Sequence, residues 1–175
     1  MARRRGQPGE LALTGFDSIV ALGRGGFSTV YRAREITANR AVALKVLDVR
    51  DAPPHVVDMF RREAQALGAL SSHPNIVTLY RVLETDDRRP VLVLELCDRS
   101  MIDVLRANGS VHALDAVALG VKVAGALESA HRSQILHRDI KPQNILLTGY
   151  GEPAPVSAEA AWSPATPKSA SAGSP

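Results

Sequence analysis

The run His137-Arg138-Asp139-Ile140-Lys141-Pro142-Gln143-Asn144 decides how this chain is read. It sets a carboxylate, an ammonium and a carboxamide at fixed offsets on one short loop. Asp139 can accept a proton. Lys141, two residues on, can neutralise negative charge, and Asn144, five residues on, can offer an oxygen to a cation. No aspartate follows Asp139 in the 175 residues. Upstream, Leu22-Gly23-Arg24-Gly25-Gly26-Phe27-Ser28-Thr29-Val30 is glycine-rich. Glycines let backbone approach phosphate oxygens closely and take φ values closed to residues with a Cβ. Alone, that run reads equally well as an ordinary hairpin turn.

Between the two lies a strand-like stretch, Ala41-Val42-Ala43-Leu44-Lys45-Val46-Leu47, with Lys45 its one charge. Alone, Lys45 is a lysine snorkelling from a strand edge. A helix follows from about Val56 to Leu70, with Phe60, Ala64, Leu67 and Leu70 as its buried stripe. Pro53-Pro54 starts it and Ser71-Ser72-His73-Pro74 ends it. Glu63 lies beside the stripe, and alone it reads as a solvated partner of Arg61 or Arg62.

The order of these pieces is more specific than any one of them. The octapeptide resembles the protein-kinase catalytic loop, H-R-D-x-x-x-x-N, and Lys141 at its place gives the serine/threonine form. The glycine run resembles G-x-G-x-x-G-x-V, with Ser28 at the third glycine position. Lys45 resembles the V-A-I-K lysine, and Glu63 the glutamate of the αC helix that pairs with it. His73-Pro74-Asn75-Ile76-Val77 resembles the link to the fourth strand, and Val91 to Cys97 the fifth strand entering the hinge. By this resemblance, from about Phe16 to Pro153, the chain is identified as a eukaryote-like (Hanks-type) bacterial serine/threonine protein kinase.

The resemblance implies ATP and Mg²⁺ as cofactors and a protein substrate bearing Ser or Thr. The loop from Gly23 to Val30 would cover the phosphates, and Val30 would also cover one face of adenine. Leu22 opens that loop. Lys45 would hold the α- and β-phosphates with Glu63 fixing it. Ala43 would lie against the purine, Leu146 below it and Leu94 behind it. The backbone of Glu95 to Cys97 would hydrogen-bond adenine. Asp139 would orient the acceptor hydroxyl, with Lys141 and Asn144 assisting and Asn144 as the metal ligand. His137 would be a packing element.

The expected fold is α+β: an antiparallel-sheet N-lobe with an αC helix, a partial helical C-lobe and a disordered C-terminal tail. The expected divisions are a disordered basic start (1–14), the N-lobe (15–95), hinge and partial C-lobe (96–150) and an Ala/Pro/Ser-rich tail (151–175). Met101 to Asn108 reads as a short helix stopped by Asn108-Gly109. Leu114 to Ser133 reads as a longer one with Leu119, Val123, Ala126, Leu127 and Ala130 on its apolar face.

The pattern breaks near Pro153. Thr148 to Pro153 reads as a turn, after which the resemblance expects Asp-Phe-Gly at about 157–159; the chain has Ser157-Ala158-Glu159. From Gly151 on, 17 of 25 residues are Ala, Pro or Ser, and prolines at 153 and 155 oppose a ladder strand. The second metal-binding aspartate is therefore absent. The stack of Leu67, Leu79 and His137 lacks its phenylalanine, Arg138 loses its usual partner, and the face from Leu119 to Ala130 is expected to stay exposed. The expectation is an inactive truncated kinase fragment. A non-catalytic nucleotide- or partner-binding fragment and a frame error are the alternatives.

Composition sets outer limits. Apolar residues make up 45% of the chain, enough for a core, and net charge is only +3. Arginine outnumbers lysine 17 to 4, which suggests a GC-rich bacterial genome. The one cysteine, Cys97, excludes an internal disulfide and suits a reducing cytoplasm. No apolar run is long enough to span a membrane, and the basic start, Met1 to Arg5, has no apolar stretch behind it. No nucleic-acid partner is expected, and the histidines show no zinc-ligand spacing.

Overall fold

The computed structural model describes residues 11–48, 52–137, 139–148 and 153–155. Five antiparallel strands form the first sheet in the order β1-β2-β3-β5-β4. They are β1 (Phe16–Arg24), β2 (Ser28–Glu35), β3 (Arg40–Leu47), β4 (Leu79–Glu84) and β5 (Pro90–Glu95), with α1 (Pro54–Leu70) between β3 and β4. The central β3 and β5 are apolar on successive residues because both faces of the sheet are covered. Ala43, Leu47, Leu92 and Leu94 face a core built with Phe60, Leu67 and Leu70 of α1. Val42, Leu44, Val46, Val91 and Val93 face a second core with Leu11, Phe16 and Ala33.

That second core corrects the expected boundary at residue 14. Leu11 is buried and Leu13 partly so, because the outer sheet face needs apolar cover. Glu35, buried at the end of β2, binds both Arg40 and Arg81, and Arg40 stacks on Tyr80 at 3.5 Å.

α1 takes Pro54 in its first turn, where a missing N–H costs nothing. At its far end Ser71 Oγ donates to Leu67 O and accepts from Leu79 N–H, joining α1 to β4. Phe60, Leu67 and Leu70 are buried as the periodicity required, and so is Glu63, a carboxylate on an otherwise apolar stripe.

The second part holds β6 (Arg99–Ser100), α2 (Met101–Asn108), α3 (Ala113–Arg132), β7 (Ile145–Leu147) and β8 (Pro153–Pro155). A capping box between Ser100 and Asp103 starts α2, and Gly109 at φ 74° stops it. Val123, Ala126 and Ala130 of α3 are buried, with Leu119 and Leu127 packed beside Met101, Ile145 and Leu147. The expected exposure of this face is thus wrong: α2 and β7 cover it. The opposite face is bare instead, with Leu114, Val117 and Val121 at 73%, 65% and 68% exposure.

β8 is a further correction. Residues 153–155 pair with β7 antiparallel despite two prolines, Pro153 opposite Leu147 and Pro155 opposite Ile145. β8 is the sheet's edge, where a missing N–H breaks no ladder on its outer side. Asn75 Nδ2 also donates to Pro153 O at 2.9 Å. The remaining expectations for Arg138, for the turn from Gly149 to Glu152, and for the tail from residue 156, including Ser157-Ala158-Glu159, lie outside the described residues.

Candidate active site

The junction of the two parts is a cleft of about 230 Å³. Leu22, Val30 and Ala43 line it from the sheet, Leu94 and Val77 from behind, and Leu146 from below. Glu95, Leu96 and Cys97 form its edge. These surfaces make a mainly apolar slot with the Lys45 ammonium on its inner wall and Glu95, Asp98, Arg99 and Asp103 toward the hinge side. Such a slot suits a planar heterocycle carrying an anionic tail.

Lys45 reaches the slot because β3 alternates: Val42, Leu44 and Val46 turn outward, and Lys45 turns toward α1. There its Nζ donates to both Glu63 oxygens at 2.7 Å. Lys45 is 7% exposed and Glu63 2%. A pair this buried is held by mutual compensation, since neither charge is tolerable alone.

The expected phosphate loop is a hairpin end between β1 and β2, closed by Gly25 N–H donating to Ser28 O at 2.7 Å. Only Leu22 and Val30 of this stretch line the cleft; Gly23, Arg24, Gly25, Gly26, Phe27, Ser28 and Thr29 do not. Among the described residues the glycines with positive φ are Gly15 and Gly109, so the loop glycines do not use the left-handed region in this hairpin. A Cβ at Gly25 would meet Ser28 Oγ at 3.4 Å and Ser28 O at 3.5 Å, ordinary contact distances, so the hairpin itself does not require the glycine.

Below the cleft, α3 leads into the loop around Asp139. Asp139 N–H donates to His137 O at 2.7 Å and to His137 Nδ1 at 3.4 Å. Asn144 Nδ2 donates to Asp139 O and to Oδ2, both at 2.8 Å. Lys141 Nζ lies 2.8 Å from the same Oδ2. That ammonium holds the Asp139 carboxyl below the usual carboxylate range, with Asn144 assisting. Asp139 is therefore ionised and oriented, with its strongest partner two residues away. Burial lowers the pKa of His137, so its imidazole is neutral. With Nδ1 accepting, the ring proton sits on Nε2, which has no hydrogen-bond partner among the described residues.

Asn144 is 1% exposed and its Oδ1 is a buried oxygen without a hydrogen-bond partner among the described residues, which fits one ligand position for a cation. A hard divalent ion needs carboxylates as well. Among the described residues no three His, Cys, Asp or Glu side chains gather, and Asp139 is already engaged by Lys141. The described residues do not make a Mg²⁺ site.

Val77 belonged to the His73-Pro74-Asn75-Ile76-Val77 motif but was not expected in the cleft, and Asp98, Arg99, Ser100 and Asp103 carried no motif signal. Asp103 is fixed in the α2 capping box, and only that local pattern could have placed it near the rim. Cys97 lines the cleft as a partly buried thiol, pushed up to about 12 by burial and by Glu95.

Comparison with known proteins supplies the rest. The family described as the protein kinase domain matches residues 16–154. Serine/threonine-protein kinase PknK of Mycobacterium tuberculosis is 46% identical over 147 residues, covering 83% of this chain and 13% of that protein. Serine/threonine-protein kinase PrkC of Bacillus subtilis is 37% identical over 131 residues, 74% of this chain and 20% of that protein. Rat serine/threonine-protein kinase SIK1 is 32% identical over 145 residues, 83% of this chain and 19% of that protein. The chain thus spans about an eighth to a fifth of the length of these relatives. Resemblance in motif order, a cleft between a five-stranded sheet and a helical part, and a match over most of the chain agree, and this chain belongs to the protein kinase family.

Proposed function

We propose that this chain is a nucleotide-binding kinase fragment that holds ATP between its two parts and transfers phosphate weakly or not at all. The observation that carries the first half is the Lys45–Glu63 pair at the wall of an apolar cleft. That arrangement supplies a fixed cation for phosphates beside a slot for a purine. Asp139, held by Lys141 and Asn144, would orient a hydroxyl, and Lys141 would neutralise a transferring phosphoryl group. The named relatives support Ser and Thr hydroxyls of proteins as the acceptors of the parent activity. A single thiol and a nucleotide ligand suit the cytoplasm, and among the described residues no helix is long and apolar enough to cross a membrane.

The second half rests on charge. Phosphoryl transfer depends on neutralising the triphosphate, and Asn144 is a neutral ligand. The chain has Ser157-Ala158-Glu159 where the family register expects the metal-binding aspartate. Two measurements on the purified chain test this reading. ATP should raise the melting temperature of the wild type and not of Lys45→Met. Radiolabelled ATP with a generic Ser/Thr protein should give no more transfer than Asp139→Asn. Robust turnover above that control overturns the inactive half, and absence of any ATP shift overturns the binding half.

A further inference from the structure

Glu95 ends β5 and enters the hinge. Its N–H donates to Thr78 O at 2.9 Å. Its Oε2 accepts from Thr78 Oγ1 at 3.1 Å and from Thr78 N–H at 3.4 Å. The β4–β5 ladder ends at Leu79 opposite Leu94, so this clasp is an addition to the sheet. Three residues on, Asp98 N–H donates to Leu147 O at 3.0 Å. The hinge is therefore pinned to the sheet at one end and to β7 at the other. Leu96 and Cys97 lie between the pins and line the cleft. The β7 pin is one backbone bond, whereas the Thr78 pin adds to its backbone bond two contacts to the Glu95 carboxylate, the shorter of them from the Thr78 hydroxyl.

We infer that Thr78 is a positioning residue that sets the purine selectivity of the cleft, by fixing Glu95 and with it the orientation of the peptides from Glu95 to Cys97. The inference rests on the nucleotide reading above. Adenine and guanine present opposite patterns on the edge a hinge would read, an amino donor beside an acceptor nitrogen against a carbonyl beside an N–H. A peptide edge fixed in one rotation pairs with one base and leaves buried groups unpaired against the other. An unpaired buried group costs more than a merely absent contact. An edge free to rotate discriminates less. Thr78 is one residue from Val77, which forms part of the cleft wall, so the clasp acts next to the bound base rather than at a distance.

The test is equilibrium binding of ATP and of GTP to the intact chain by calorimetry, for wild type, Thr78→Val and Thr78→Ser, with Glu95→Leu as an independent break of the same clasp. The wild type should prefer ATP. Thr78→Val should lower the ATP-to-GTP affinity ratio by about fivefold, the size expected for one hydrogen bond. Glu95→Leu should lower it at least as much, and Thr78→Ser should keep it. A purely structural clasp would lower the melting temperature and weaken both nucleotides alike. An unchanged ratio in Thr78→Val and Glu95→Leu, with ATP still bound, overturns the inference and leaves the nucleotide reading standing. Failure of the wild type to bind either nucleotide removes both.

Discussion

Asn75, in the turn after α1, donates its side-chain amide to the carbonyl of Pro153 at 2.9 Å, tying the sheet part to the strand that follows the Asp139 loop. The bond bridges 78 positions of sequence and lands on an edge strand of three residues. The bond adds a side-chain anchor to the pairing of β8 with β7.

Asn75→Ala should therefore loosen β8 without unfolding the chain. The expected loss is about 1 kcal/mol, the net worth of one hydrogen bond. Hydrogen exchange at Ile145 to Leu147 should quicken, while α1 and β5 amides keep their protection. Unchanged exchange in β7 would show that β8 is held by other means.

Removing one partner of the Lys45–Glu63 pair strands a buried charge. Glu63→Leu or Lys45→Met should each cost about 3–5 kcal/mol in urea unfolding. The double variant should recover much of that loss, because an apolar pair suits the site. It should not recover ATP binding, since the cation facing the cleft is gone.

Stability should fall with acid through His137. Burial holds its imidazole below 6.5, against the pull of Asp139 in the other direction. As pH drops through 6.5 the unfolded chain takes up this proton before the folded one, so folding loses free energy. The urea midpoint should decline between about pH 7 and about pH 5.5, and less so in His137→Gln. Asp17, Asp87, Asp103 and Asp139 are held below 3.8 by their partners and contribute their loss only at lower pH.

Cys97 should resist alkylation. With the thiol pushed up to about 12, the thiolate is scarce at pH 8, and iodoacetamide should react roughly a hundredfold or more slower than with the unfolded chain. Fast labelling of native protein would contradict the burial that raises it.

The bare face of α3 should govern solubility. Leu114, Val117 and Val121 sit at helical spacing and are largely exposed. Leu114→Glu with Val121→Lys should raise the concentration at which the protein stays monodisperse by light scattering, with little change in melting temperature. A large stability loss would mean that this face is covered.

The parts of the fold carried by periodicity were legible from sequence. Phe60, Leu67 and Leu70 had only to follow a 3.6-residue repeat, and Gly109 had only to end a helix. Glu63 was legible through motif order alone, because a carboxylate on an apolar stripe is explained only by Lys45 arriving from β3. β8 was hidden, because two prolines in three residues speak against a strand until an edge position is known. Packing of Leu11 on the outer sheet face was hidden too, since nothing local says which face of β3 needs cover. For α3 the periodicity gave the right face, Leu119, Val123, Ala126, Leu127 and Ala130, but nothing local said that α2 and β7 would cover it. Thr78 gave no signal, because its bond to Glu95 joins strands that only the folded sheet brings together.

The alternation of β3 also bears on how the chain finds its register. Val42, Leu44 and Val46 pack on one side, and Ala43, Lys45 and Leu47 on the other. A slip of one residue against β2 or β5 would drive the Lys45 ammonium into a wall of valines and leucines and strand Glu63 in the α1 core. A strand that is apolar on both faces exchanges apolar side chains for apolar ones on such a slip and carries little penalty of its own against it. Here the one ammonium in the strand supplies that penalty, so the group that would meet the phosphates also proofreads the assembly of the sheet around it.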